Sequence, residues 1–307
     1  MGCFKSDVCP KLNTYQIVFE QHIMRKLSLS EQLLFCTTRI EAKDQNDNKH
    51  IGTGFFYSFP TKEGKGSFVY VVTNRHLVEN MKEIRAGFSL ADNEGNPIYS
   101  KPYSFIYGTQ EGIIYHPDNS VDLCIIPVSV FLAVAKFDNK KLFFHTINES
   151  LRPDAEKLAS VSPIEDIMLI GYPTGLWDES NNMPIVRKGI TATSIHRDYN
   201  GKHEFLIDAA CFPGSSGSPV FVLNNGSFTD QRNNAVVIGS RLLFIGILYK
   251  GAQYTLSGEI RRNDSTNAVA NAMAYSNSFS NIGYVIKSDM MNDFIPYVHD
   301  YLKKFNL

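Results

Sequence analysis

Pro213-Gly214-Ser215-Ser216-Gly217-Ser218-Pro219 lies between two apolar runs, Phe205-Leu206-Ile207 and Val220-Phe221-Val222-Leu223. A serine hydroxyl is a poor nucleophile unless three conditions hold. It needs a base within hydrogen-bond reach, a sharply exposed backbone corner, and N–H donors aimed at the oxyanion. Glycines at 214 and 217 let the chain bend so that the N–H groups of Gly214 and Ser216 point into one small hole. The same Gly/Ser/Pro composition also makes an ordinary turn. The segment therefore needs partners elsewhere in the chain.

Two further segments supply them. His76 follows the apolar run Val71-Val72-Thr73-Asn74-Arg75, where the chain turns out of a strand, and Asp122 opens Leu123-Cys124-Ile125-Ile126-Pro127. Singly, the histidine reads as structural and the carboxylate as a solvated turn residue or as a buried group that orients an imidazole. Together the order His76, Asp122, Ser216 is that of one of the known triad arrangements, His-Asp-Ser. The competing nucleophile elbow, Gly-x-Ser-x-Gly with a histidine downstream, fails twice. Ser218 stands where its last glycine belongs, and the only later histidine that qualifies, His299, falls in a C-terminal helical pattern.

Composition removes other classes. The 307 residues are 43% apolar and 20% charged, ordinary for a globular chain. Thirty basic side chains against 31 acidic ones, without a basic stripe, give no electrostatic footprint for nucleic acid. No apolar run approaches the roughly 18 residues of a membrane span, and no secretory signal pattern opens the chain. The five cysteines (Cys3, Cys9, Cys36, Cys124, Cys211) form neither a metal spacing nor a disulfide framework, which points to a reducing, cytoplasmic setting. Met1-Gly2-Cys3-Phe4-Lys5-Ser6 fits an acylation pattern at Gly2 and Cys3, the minor alternative of membrane anchoring.

From about Leu33 onward, short β-rich runs separated by Gly, Pro, Asn and Asp suit a barrel or sandwich. Helical spacing appears at both ends. Asn13 with Gln16, Tyr15, Val18, Phe19 and Ile23 predicts an N-terminal helix. Ser288 with Met291, Phe294, Ile295, Val298 and Leu302 predicts a C-terminal one, which Pro296 should kink or interrupt. The polar stretch 142–157 reads as a linker between two halves.

Collinear segments carry a resemblance over about residues 51–287. They are Gly52-Thr53-Gly54-Phe55-Phe56, Thr73-Asn74-Arg75-His76, Asp122-Leu123-Cys124-Ile125, Ile170-Gly171-Tyr172-Pro173-Thr174-Gly175 and Arg187-Lys188-Gly189-Ile190-Thr191. Asp208-Ala209-Ala210-Cys211-Phe212 leading into the serine segment, Ile245-Gly246-Ile247 and Asn281-Ile282-Gly283-Tyr284-Val285-Ile286 complete the series. The sequence resembles the chymotrypsin-fold (trypsin-like) serine peptidases, most closely their HtrA and glutamyl-endopeptidase-like bacterial branch, without a following PDZ-like domain.

The resemblance implies an all-β fold of two six-stranded antiparallel barrels with an N-terminal and a C-terminal helix. Its parts would be a helical extension (1–40), a first barrel with His76 and Asp122 (41–150), a second with Ser216 (151–287), and a terminal helix (288–307). Ser216 would be the nucleophile, His76 its base and Asp122 the group orienting the imidazole, with the Gly214 and Ser216 N–H groups binding the oxyanion. The reaction calls for no metal and no cofactor.

Ala210 stands where trypsin's pocket carries an acid, so Ala210, Cys211, Ile247, Leu248 and Tyr249 would form a pocket for a small or medium apolar residue. Ser215 replaces the aspartate that pairs with a newly cut N-terminus in trypsin-like zymogens, and no Ile-Val activation site precedes the first strand. Activation by cleavage is therefore not expected. Segments 174–184 and 251–280 look inserted, as surface decoration or as a gate ordered by an activating partner protein. The expected partner is a protein or peptide substrate. The rival is a protease-fold binding or scaffold protein whose triad is present but silent.

Overall fold

The computed structural model describes residues 27–303 apart from 65, 109 and 260–272. The expected helix at 13–23 and the Gly2/Cys3 acylation pattern lie outside them, as do Arg261 and Arg262. The first described element is a short helix, α1 (Leu29–Leu34). Ser28 caps it through a capping box with Glu31, which satisfies two otherwise orphaned N–H groups. The first sheet then follows.

That sheet contains β1 (Thr37–Lys43), β2 (Lys49–Pro60), β3 (Ser67–Thr73), β4 (Glu83–Ala91), β5 (Pro97–Tyr107), β6 (Ile114–Tyr115) and β7 (Cys124–Pro127). They pair in the order β5-β4-β1-β2-β3-β7-β6. This differs from a closed six-stranded barrel. The path stays open because β6 is two residues long and pairs only with β7, through Ile114 and Tyr115. A helix that the sequence leaves unassigned, α2 (Ser129–Phe137), packs on the same core. Its Phe131 ring lies 5.2 Å from Phe88 and 5.3 Å from Phe105.

The stretch 142–157 is more than a connection. β8 (Leu142–Phe143) adds to β4, and β9 (Ile147–Asn148) runs parallel to β2. Phe143 and Ile147 are buried, so their apolar surface pulls this stretch onto the sheet. Helix α3 (Ala155–Ala159) leads to the second half, with Asp154 as its cap.

The second half contains β10 (Asp166–Gly171), β11 (Ile185–Thr191), β12 (Glu204–Asp208), β13 (Pro219–Asn224), a side hairpin β14 (Ser227–Asp230) with β15 (Ala235–Ile238), then β16 (Arg241–Glu259) and β17 (Met273–Lys287). Strands β10-β11-β12-β17-β16-β13 close into a six-stranded barrel. The segment 251–280 does not interrupt the last pair. The pairing of β16 with β17 shifts register after Gly251↔Gly283, then runs unbroken from Gln253↔Phe279 to Glu259↔Met273 as a two-stranded ribbon. Segment 174–184 is anchored at Trp177, whose ring lies 6.3 Å from Tyr172 and 5.4 Å from the Arg39 guanidinium.

At the end of the chain a 3₁₀ turn, Ser288–Phe294, precedes α4 (Ile295–Lys303). Pro296 falls in the first turn of α4, where its missing N–H has no helical partner to lose, so it marks the junction and breaks nothing. Met291, Phe294 and Val298 are fully buried and join a core that also holds Phe55, Tyr57, Phe221 and Phe244 from both halves. No helix among the described residues is long and apolar enough to cross a membrane.

Cys36, Cys124 and Cys211 are free and buried. Burial pushes the Cys211 thiol from 9.0 up to about 11 and raises those of Cys36 and Cys124 as well. A raised thiol pKa favours the folded state below 9.0, and for Cys211 that contribution disappears as pH rises toward about 11. Iodoacetamide at about pH 8 is expected to spare all three in the native protein and modify them after denaturation, as read by intact-mass spectrometry.

Candidate active site

His76 lies in a 3₁₀ turn, Arg75–Leu77, just after β3. Asn74 enters that turn fully buried, and its Nδ2 donates to the Asp122 carbonyl at 2.8 Å. Asp122 then grips His76 at two points. Oδ1 accepts the His76 backbone N–H at 2.9 Å, and Oδ2 lies 2.5 Å from Nδ1. A carboxylate can only accept, so Nδ1 carries a proton, the tautomer that in a neutral ring places the lone pair on Nε2. Arg75 steadies the turn from outside by bonding Asn119 at 2.8 Å and Glu79 at 2.6 Å, with its guanidinium over the Tyr115 ring.

The serine loop bends as its glycines require. Gly214 and Gly217 have φ of +85° and +87°. A Cβ at Gly217 would fall 1.9 Å from the Thr53 carbonyl oxygen, and one at Gly214 would fall 2.5 Å from that of Tyr172. Gly217→Ala therefore combines backbone strain with overpacking. It is expected to cost about 3–5 kcal/mol, a drop in Tm of roughly 10 °C by calorimetry.

The neighbouring amides are used internally. Ser215 N–H donates to Phe212 at 3.0 Å, Gly217 N–H to Leu248 at 2.7 Å and Ser218 N–H to Ser215 at 3.0 Å. The Gly214 and Ser216 N–H groups have no acceptor among the described residues. The Ser216 hydroxyl donates to the Tyr249 carbonyl at 3.3 Å, and no hydrogen bond joins it to His76. The cause lies in β16. Its pairing with β17 passes from Leu248↔Val285 to Lys250↔Tyr284, leaving Tyr249 as a bulged residue. A bulge re-aims backbone groups, and here the Tyr249 carbonyl faces the serine.

Thr53 joins the two halves, a role the sequence reading missed although its Gly-Thr-Gly segment was in view. This fully buried residue on β2 donates its N–H to the Ser216 carbonyl at 2.8 Å and its hydroxyl to the Gly214 carbonyl at 3.0 Å. The same hydroxyl accepts from the Tyr172 N–H at 3.1 Å and from Ser218 Oγ at 3.3 Å, and the Thr53 carbonyl accepts from Thr73 Oγ1 at 2.8 Å.

The expected pocket residues divide. Ala210 is half-buried and leads into the loop, followed by buried Cys211. Ile247 and Leu248 are buried in separate core clusters. Tyr249 contributes its carbonyl to the serine, while its hydroxyl donates to the buried Glu204 at 2.7 Å. The sequence did not point to Gly251 and Gly283, which face Cys211 so closely that a Cβ would lie 2.9 Å from its carbonyl oxygen or 2.5 Å from its Sγ. Among the described residues no group of three or more His, Cys, Asp or Glu side chains could hold a metal ion.

A family model described as a trypsin-like peptidase domain matches residues 52–229. Comparison with curated proteins gives no match. Among solved structures, Deg5 is similar at 15% identity over 88% of this chain and 91% of that one, with a TM-score of 0.44. The HtrA-type protease AlgW with a tripeptide is similar at 15% identity over 86% of this chain, with a TM-score of 0.41, and the match spans 61% of AlgW. The active form of the Rv3671c protease from M. tuberculosis gives 14% identity, coverages of 84% and 78%, and a TM-score of 0.39. None of the residue assignments rests on these three.

Proposed function

We propose, from the premise that the chain belongs to the trypsin-like peptidase domain family, that this serine peptidase is an endopeptidase working through His76, Asp122 and Ser216. The observation that carries this reading is the two-point grip of Asp122 on His76, which fixes the ring and leaves Nε2 basic. For reaction, the Ser216 hydroxyl leaves the Tyr249 carbonyl for Nε2. Catalytic hydrogen bonds commonly tighten only when substrate is bound. Oγ then attacks the peptide carbonyl as Nε2 takes its proton. The oxyanion meets the Gly214 and Ser216 N–H groups, and the imidazolium gives its proton to the leaving amine. Water releases the acyl group by the same steps. With Ala210 in place of a pocket acid, the preferred residue before the cut is small or medium and apolar.

The finer setting is intracellular, with protein substrates and activity raised by a partner protein. A partner-raised enzyme shows a low basal rate that changes when 255–278 is deleted; full basal activity indifferent to that deletion removes the trigger from the reading. One observation favours the rival of a silent binding protein, namely that Ser216 bonds Tyr249 and not His76. A fluorophosphonate probe separates the two. The expected result is a single adduct, located on Ser216 by peptide mass spectrometry, together with cleavage of a denatured protein. A folded protein that takes no probe and cuts nothing overturns the peptidase reading.

A further inference from the structure

Arg187, on β11, turns its guanidinium inward beneath the serine loop. Its Nη1 donates both to the Ala210 carbonyl and to Ser215 Oγ, the latter at 2.8 Å. Nε and Nη2 are buried without a partner. Burial lowers the Arg187 pKa, and among the described residues its one charge interaction is with the Cys211 thiol, which is protonated at neutral pH. A cation taken out of water with no carboxylate beside it is costly, and leucine or methionine would fill the same space without that cost. The cost calls for a compensating role.

Its two acceptors indicate that role. Ala210 and Ser215 stand at opposite ends of the loop that carries Gly214, and one nitrogen bridges them. On the far side Thr174 N–H holds the Pro213 carbonyl at 2.5 Å and Thr53 holds that of Gly214. The loop is thus pinned from both sides, with its two free N–H groups between.

We propose that Arg187 is a positioning residue that holds 210–216 in the shape presenting the Gly214 and Ser216 N–H groups together. It does from within the chain what a newly cut N-terminus does for the aspartate of trypsin-like zymogens, in a protein where Ser215 has replaced that aspartate. The catalytic part of this inference rests on reading the loop as an oxyanion hole; the mechanical part does not.

The test uses the full chain and compares wild type with Arg187→Met, Arg187→Lys and Ser215→Ala. Hydrogen exchange of the 210–216 amides reports the clamp without requiring activity. Arg187→Met is expected to speed their exchange at least tenfold while strand 167–171 is unchanged, with Ser215→Ala intermediate. Steady-state kinetics should show kcat down roughly 100- to 1,000-fold at an unchanged KM, the size of a lost oxyanion donor, and partial recovery in Arg187→Lys. Unchanged exchange at 210–216 in folded Arg187→Met overturns the proposal. If that variant does not fold, unchanged exchange in Ser215→Ala overturns it equally. Faster exchange in a protein whose wild type never takes the fluorophosphonate probe supports the clamp and sinks the peptidase reading.

Discussion

Ser216→Ala is expected to lower kcat by about a million-fold and to abolish labelling by a fluorophosphonate. In the proposed mechanism Oγ is the atom that forms the acyl-enzyme, and nothing else in the loop replaces it. The adjacent Ser215 is buried with its hydroxyl held by Arg187, and Ser218 is fully buried and bonded to Thr53. The residual rate should stay above the uncatalysed one, because the two N–H groups and the substrate-binding surface survive the change. Folding should not suffer. The hydroxyl makes a single 3.3 Å bond to Tyr249, so Tm should move by no more than about 2 °C. Active-site titration followed by single-turnover kinetics on a denatured protein checks this. A variant retaining a tenth of the wild-type rate would mean that the chemistry lies elsewhere.

Asp122→Asn is expected to cost about 10⁴ in kcat with little change in KM or Tm. Both carboxylate oxygens accept from His76, one from the backbone N–H and one from the ring. An amide can keep only one of them. If its oxygen stays on the backbone N–H, its NH₂ faces Nδ1, which must then become the acceptor. The ring proton moves to Nε2, and Nε2 can no longer take the proton of Ser216. If the amide flips, the backbone N–H loses its acceptor and the turn loosens. The first outcome removes the base and the second misplaces it, and both leave the core intact, since Asp122 itself is only half-buried. Kinetics beside calorimetry separates the two: loss of rate with Tm retained is the expected pattern.

The strands and the three side chains of the proposed triad were legible because each leaves a local mark. Aromatic and β-branched runs such as Phe68-Val69-Tyr70-Val71-Val72 became β3, and the chain turns at His76 where its apolar pattern stops. What stayed hidden depends on register, which the pattern of apolar residues does not encode when both faces of a strand are buried. The bulge at Tyr249 is such a case. Ile247 and Leu248 just before it alternate into the two cores, and the bulged residue turns its carbonyl to the serine. The open first sheet is another, because a two-residue β6 looks like any loop. Arg187 was visible only as a charge on a strand, and nothing in its neighbours says which way it faces.

Thr53 has a consequence for the life of the chain before it is complete. Its five hydrogen bonds draw together residues 53, 73, 172, 214, 216 and 218, and the serine loop takes its shape only against a β2 already seated in its own sheet. Such distant pairings form late, after the loops between them have closed. A ribosome-bound chain that has released its histidine and aspartate but not its serine loop is therefore harmless, and so is a finished chain whose halves have yet to dock. Synthesis is its own safety catch: with the proposed triad, the newborn polypeptide is disarmed by topology until assembly is over.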